Sequence, residues 1–229
     1  KVQIYGSIAR PVIWLFLLGT GLRGGYTQLP SGVNLQQFIF PGMIAMNILF
    51  GGIQSGASII WDREFGFLKE IMVAPVSRIA IAFGKTLSGS VIAWLQGLIV
   101  LSFFPFLGFR LSLSQLILTL AAMFLVAFTI TAIGILLAVR MTTFEGFGTI
   151  NNFLVMPMFF LSGAMYPTDR IPEWLKYLVG LNPLSYGVNL LRGIILKYEA
   201  NFGLDIAVLI LFTLPVLSGA VYLFNREGS

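Results

Sequence analysis

Neither cysteine nor histidine occurs anywhere in the 229 residues. The first absence removes disulfides and thiol chemistry. Together they remove the usual zinc ligands and the side chain that titrates most readily near neutral pH. Charge is scarce too. Asp, Glu, Lys and Arg make up 10% of the chain, against about 25% in an ordinary soluble domain. The net charge of +5 is a modest excess of Lys and Arg, of the kind that membrane topology produces rather than a nucleic-acid surface. The acidic residues fall at the ends of apolar runs and in the stretches between them. No catalytic constellation follows from that distribution, so the chain does not read as an enzyme.

What fills the chain is apolar: 57% of residues are hydrophobic and the mean hydropathy is +0.91. Runs of about twenty apolar residues read as bilayer-spanning helices. Six are expected, over 2–22, 38–61, 79–107, 113–139, 147–166 and 204–224, making one all-α integral membrane domain over 1–229. The chain starts at Lys1 and its first residues read like the middle of something, so further sequence is expected upstream. Arg10 belongs near the cytoplasmic end of the first span, where it can snorkel, and Pro11 kinks that helix or begins its regular part.

Polar groups inside spans need partners, because hydrocarbon offers none. The second span carries Asn47, Gln54, Ser55 and Ser58. It also holds Gly52 and Gly56 at the spacing that lets helix backbones approach, although spanning helices are Gly-rich in general. The fifth span carries Asn151, Asn152 and Phe153. These amides meet either another helix or a wet path, and both readings stay open. Gly84-Lys85-Thr86 looks like the end of a phosphate-binding loop, but Ile79 stands where its first glycine must be and no strand precedes it. The chain therefore has no nucleotide site of its own.

The longest charged stretch is Trp61 to Arg78. Asp62 could cap a helix start there. Phe65, Leu68 and Met72 recur at helical spacing with Phe67 and Ile71 beside them, among Arg63, Glu64, Lys69 and Glu70; Pro75 ends the helix. Such a face either docks on a protein or lies on lipid. The second unusual region is 167–203, where Ile171, Trp174, Leu175 and Leu178 have helical spacing. Its apolar run 184–196, containing Arg192, is too short to span. Six spans put both termini on one side. The small excess of Lys and Arg on that side, which would hold Lys1, Arg10, Arg63, Lys69, Arg78, Lys85, Arg140 and Arg226, favours the cytoplasm for it.

In order along the chain stand Arg10-Pro11 with Trp14-Leu15-Phe16, Pro41-Gly42-Met43, Arg63 to Glu70 followed by Ala74 to Arg78 and Gly84-Lys85, and Asn182-Pro183-Leu184-Ser185-Tyr186 with Arg192. This ordered set resembles the membrane subunit of ATP-binding-cassette (ABC) exporters of the type-2 permease group. The resemblance implies that residues 62–75 form a coupling helix seated on a separate cytoplasmic ABC ATPase, which would bind the ATP and Mg. It implies that residues 168–196, with Trp174, Pro183, Tyr186 and Arg192, form short extracellular helices dipping into the outer leaflet. It also implies a second permease copy, an inner-membrane location and an amphipathic helix upstream. Family members often carry an acidic residue where Asn189 stands. The substrate expected is an amphiphilic drug, lipid or glycan, with Asn47, Gln54, Asn151, Asn152 and Phe153 as candidates for its path. A secondary transporter or channel needing no ATPase is the alternative, disfavoured because the spans lack a central Asp, Glu or Lys.

Overall fold

A computed structural model of the chain describes residues 34–73, 75–108, 111–168, 171–198 and 200–227. Among them the secondary structure is entirely helical. Helix α1 (Leu35–Ser55) continues through Gly56 into α2 (Ala57–Glu64), and α3 (Phe67–Val73) follows a break. Then come α4 (Arg78–Leu101), a 3-10 turn (Phe104–Leu107), α5 (Leu113–Val139) and α6 (Phe144–Phe160). Helices α7 (Glu173–Leu181), α8 (Pro183–Leu196) and α9 (Phe202–Glu227) complete the order.

Four of these stretches are long and apolar enough to cross a membrane: Leu35–Glu64, Arg78–Leu101, Leu113–Val139 and Phe202–Arg226. They match the predicted second, third, fourth and last spans. The predicted third span is shorter than expected, because the helix stops at Leu101 and Phe104-Pro105 opens a 3-10 turn. The predicted fifth span is α6, a helix of 17 residues with Pro157 inside it. The predicted first span, with Arg10 and Pro11, lies outside the described residues.

Local chemistry sets where the helices begin. Ser77 opens α4 by accepting from the Ala80 N–H at 3.2 Å, and Thr143 opens α6 by accepting from the Gly146 N–H at 3.2 Å. Ser112 and Gln115 cap one another's backbone N–H groups at the start of α5, at 3.3 and 3.1 Å. Each cap satisfies donors that the first turn of a helix leaves without partners.

The bundle is organised around α1–α2 and α5. In the most apolar window of α1–α2, 78% of residues are buried, against 22% in the window of α9. Small residues bring the two central rods together. A methyl group on Gly134 of α5 would stand 2.8 Å from the Gly52 carbonyl oxygen and 2.8 Å from the Ile53 Cα. The Gly52-x-x-x-Gly56 spacing is thus spent inside this chain, against Gly134. Hydroxyls and an indole stitch the outer rods on. Thr129 of α5 and Thr213 of α9 share a 2.8 Å hydrogen bond, and Trp94 Nε1 of α4 donates to the Leu120 carbonyl of α5 at 2.9 Å.

Helix α8 is buried on most of its surface, between α1, α5 and α9. With 14 residues it is about 21 Å long, so it enters the bundle without the length to cross a bilayer. The Asn182-Pro183-Leu184-Ser185-Tyr186 run holds it there. Asn182 accepts from the Leu184 N–H at 3.1 Å, as a helix cap, and donates to the Met158 carbonyl at 2.6 Å. Ser185 donates to the Leu161 carbonyl at 3.3 Å, and Tyr186 donates to the Gly180 carbonyl at 2.9 Å. The motif therefore closes the end of α6, whose last carbonyls have no helical partner.

The chain reverses direction at each turn, so the bundle has two ends. Gln37 donating to the Leu107 carbonyl and Gln115 donating to the Ile194 carbonyl mark one end. The stretch Trp61 to Arg78 marks the other.

Candidate functional site

The stretch 62–75 is not one helix. Helix α2 runs to Glu64, so Asp62 lies in its last turn and does not cap a helix start. Phe65 ends it, and Gly66 takes the left-handed conformation at φ +77° with open space where a side chain would stand. A residue with a Cβ resists that conformation, so glycine is what lets the chain bend. Helix α3 restarts at Phe67 and ends before Pro75. The expected single face of Phe65, Leu68 and Met72 is therefore split, with Phe65 on one arm of an elbow and the other two on the second. The side chains of Leu68, Lys69 and Met72 lie outside the described residues.

The base of the elbow is fixed to the bundle from three directions. Arg63, one of the charged residues flanking the expected apolar face, turns its guanidinium inward. Its Nη2 donates to the Val139 carbonyl at 2.8 Å and its Nη1 donates to the Met141 carbonyl. Those acceptors close the C-terminal end of α5, where carbonyls lack helical partners and the helix dipole is negative. Asp62 forms an ion pair with Lys85 of α4. Trp61 stacks on Phe65 at 5.4 Å and 6° and meets Phe144 of α6 at 4.7 Å and 55°. A push on the elbow thus bears on α4, α5 and α6 together.

Its tip is apolar and open. Phe65 is 72% exposed and Val73 87% exposed, with Phe67 and Val76 also exposed. Glu64 and Glu70 are exposed beside them. Ile71, expected at the docking face, is half-buried and packs on the core, because the elbow turns that side of α3 back to the bundle.

Above the elbow, a cleft of about 280 Å³ opens between α1–α2 and α4. Gln54, Ser58, Lys85, Ser88 and Gln96 line it, with Trp61 and Ile92 as apolar walls. Of the five candidate path residues, Gln54 alone lines this cleft. Asn47 is 5% exposed and donates to its own helix at the Met43 carbonyl, 3.3 Å away, so it is enclosed in the core. Asn151, Asn152 and Phe153 sit together on α6. Phe153 is 79% exposed and Asn152 is exposed, while the buried Oδ1 of Asn151 has no hydrogen-bond partner among the described residues.

At the opposite end, Trp174 on α7 is 65% exposed, Pro183 is the first residue of α8 and buried, and Tyr186 is half-buried. Arg192 is 4% exposed; its guanidinium lies 4.0 Å over the Phe38 ring and donates to the Gly163 carbonyl at 2.9 Å. Arg192 thereby ties α8 to the start of α1 and to the turn after α6.

Sequence reasoning missed the Asp62–Lys85 pair, although a signal for it exists. The two residues are 23 apart, and an antiparallel hairpin centred near Val73 brings them opposite one another. It also missed the buried carboxylate of Asp205, in the first turn of α9.

Such an arrangement defines a class: an all-helical membrane protein with several spans fixed at one end to a short exposed elbow. The family model for ABC-2 type transporters matches residues 1–196. A protein of Cyanophora paradoxa named as a putative transport permease, ycf38, is 30% identical over 230 residues, covering 93% of this chain and 79% of the relative. Nodulation protein J of Rhizobium leguminosarum bv. viciae is 26% identical over 228 residues, covering 98% and 87%. A protein of Escherichia coli K12 named as a probable multidrug ABC transporter permease, YbhR, is 29% identical over 207 residues, covering 85% of this chain and 54% of the relative. The chain belongs to the ABC-2 type transporter family, as the resemblance in its motifs implied.

Proposed function

We propose that this chain is the membrane half of an ATP-driven exporter, working as two copies with two cytoplasmic ABC ATPase subunits that hold ATP and Mg. One observation carries the reading. The elbow at Gly66 offers Phe65, Phe67 and Val73 to solvent while its base is held to three helices by Arg63, Asp62 and Trp61. An exposed apolar tip on a fixed base suits transmission of force from a docked partner, since packed helices shift as units. The ATPase is the occupant that family membership favours. In this reading the elbow end and both termini face the cytoplasm of the inner membrane. Residues 2–22 and α6 complete six spans, and α7 and α8 are short helices entering the outer leaflet.

The same reading places an amphiphilic substrate, such as a drug, lipid or glycan, next to uncharged amides and hydroxyls with apolar walls. Gln54 with Ser58 and Gln96 provides one such surface, and Asn151, Asn152 and Phe153 provide another that a second copy could face.

The test is co-purification of the full-length chain with the ATPase encoded beside it, with ATP hydrolysis measured in lipid discs. Phe65→Asp and Phe67→Asp should release the ATPase while leaving the permease folded by size exclusion. Retention of the ATPase by both variants, or no ATPase with the wild type, would move the ATPase-independent carrier to the front.

A further inference from the structure

A second cavity, of about 250 Å³, lies at the end of the bundle away from the elbow. The starts of α1 and α9 and the flank of α8 enclose it, through Phe38, Asp205, Leu204, Tyr186, Asn189 and Arg192. Asp205 is 3% exposed, and its Oδ2 has no hydrogen-bond partner among the described residues. A buried carboxylate oxygen without a donor is costly. An oxygen lining a cavity finds its donor in whatever occupies that cavity.

The chemistry of the walls narrows the occupant. An anion alone would meet Asp205. A divalent cation needs several oxygen ligands of high charge, yet no group of three acidic side chains exists among the described residues, and a guanidinium shares the cavity. A group with N–H donors of positive charge fits, since it meets the Asp205 carboxylate with the donor that the protein does not supply. The volume is below the roughly 300–1,000 Å³ of drug-sized pockets, so it suits a head group and not a whole amphiphile. The depth is also right. Asp205 and Phe38 stand in the first turns of two membrane-length helices. Beside them, α7 exposes Trp174, Tyr177 and Leu181, the aromatic surface that settles at the bilayer interface.

We infer that this cavity holds the head group of a membrane lipid that carries a primary ammonium, with the ammonium donating to Asp205. The site is separate from the elbow and does not depend on an ATPase partner. A lipid held there would fasten α8 to the two helix starts that it bridges.

The test uses the full-length chain, delipidated in detergent, with its thermal midpoint followed as lipid is added back. Phosphatidylethanolamine should raise the midpoint by several degrees. Phosphatidylcholine, whose trimethylated nitrogen has no N–H, and phosphatidylglycerol should give at most a small rise. Asp205→Asn should weaken the phosphatidylethanolamine response at least tenfold in lipid concentration while leaving the phosphatidylcholine response unchanged. Asn189→Asp, which adds a second carboxylate to the same wall, should widen the preference for phosphatidylethanolamine. Equal rises with all three lipids, in a wild type that needs no variant to fold, would make the contact ordinary boundary lipid and overturn the inference. So would an Asp205→Asn variant that keeps the preference. Soluble O-phosphoethanolamine acting at the same concentration as the lipid would reassign the cavity to a free amine.

Discussion

Arg63 Nη2 donates to the carbonyl oxygen of Val139 at 2.8 Å, across 76 positions of sequence. One guanidinium thus closes the last turn of the helix that packs most centrally in the bundle, and it does so from the arm of the exposed elbow.

Replacing Arg63 with Ala leaves two carbonyls at the end of α5 without their donor. A hydrogen bond from a charged group contributes about 1.5–3 kcal/mol, so losing both is expected to cost about 3–6 kcal/mol. Arg63→Lys should recover part of it, since a lysine cannot span both acceptors as a planar fork does. Chemical denaturation of the purified permease in detergent reads the difference. If Arg63→Ala melts like the wild type, the guanidinium does not hold α5.

Gly134→Ala tests the close approach of the central rods. The added methyl would lie 2.8 Å from backbone atoms of Gly52 and Ile53, which cannot swing aside as a side chain end could. Overpacking of that kind costs about 1–3 kcal/mol. Gly148, on α6, has open space around its missing Cβ, so Gly148→Ala should be neutral or slightly stabilising through helix propensity. A matched pair of midpoints checks this: equal behaviour of the two variants would mean that α1 and α5 can separate without penalty.

Gly66→Ala should act on the elbow and not on the bundle. The position has φ +77° and empty surroundings, so the cost is conformational, about 1 kcal/mol. Gly66→Asn should cost less, because asparagine visits that region more readily. The expected outcome is an unchanged unfolding midpoint for the spans with reduced retention of the ATPase for Ala and near-normal retention for Asn. Equal retention by all three proteins would show that the bend is not needed for docking.

The long apolar runs located the four membrane-length helices among the described residues, closely at 38–61, 113–139 and 204–224, but ran past the end of the third, which stops at Leu101. Apolar periodicity failed at Gly66. Periodicity counts apolar positions and is blind to one left-handed residue, so Phe65 was joined to a helix that it does not share. It also could not say which way a polar side chain in a span would turn. Asn47 and Gln54 lie on the same helix, yet one is enclosed and the other lines a cleft. Arg63 looked like a surface charge because the carbonyls it serves are far away in sequence and carry no side-chain signal. Asp205 carries no sequence signal for the same reason: the walls around it come from α1 and α8.

The contact between Gly56 and Gly134 sits unevenly along the rod that passes it. From Gly56 to Arg63 is about 11 Å and from Gly56 to Phe38 about 27 Å at 1.5 Å per residue. The closest approach of the two rods thus lies nearer the elbow than the far end, with Arg63 anchoring the short side on α5 and Phe38, under the Arg192 guanidinium, anchoring the long side.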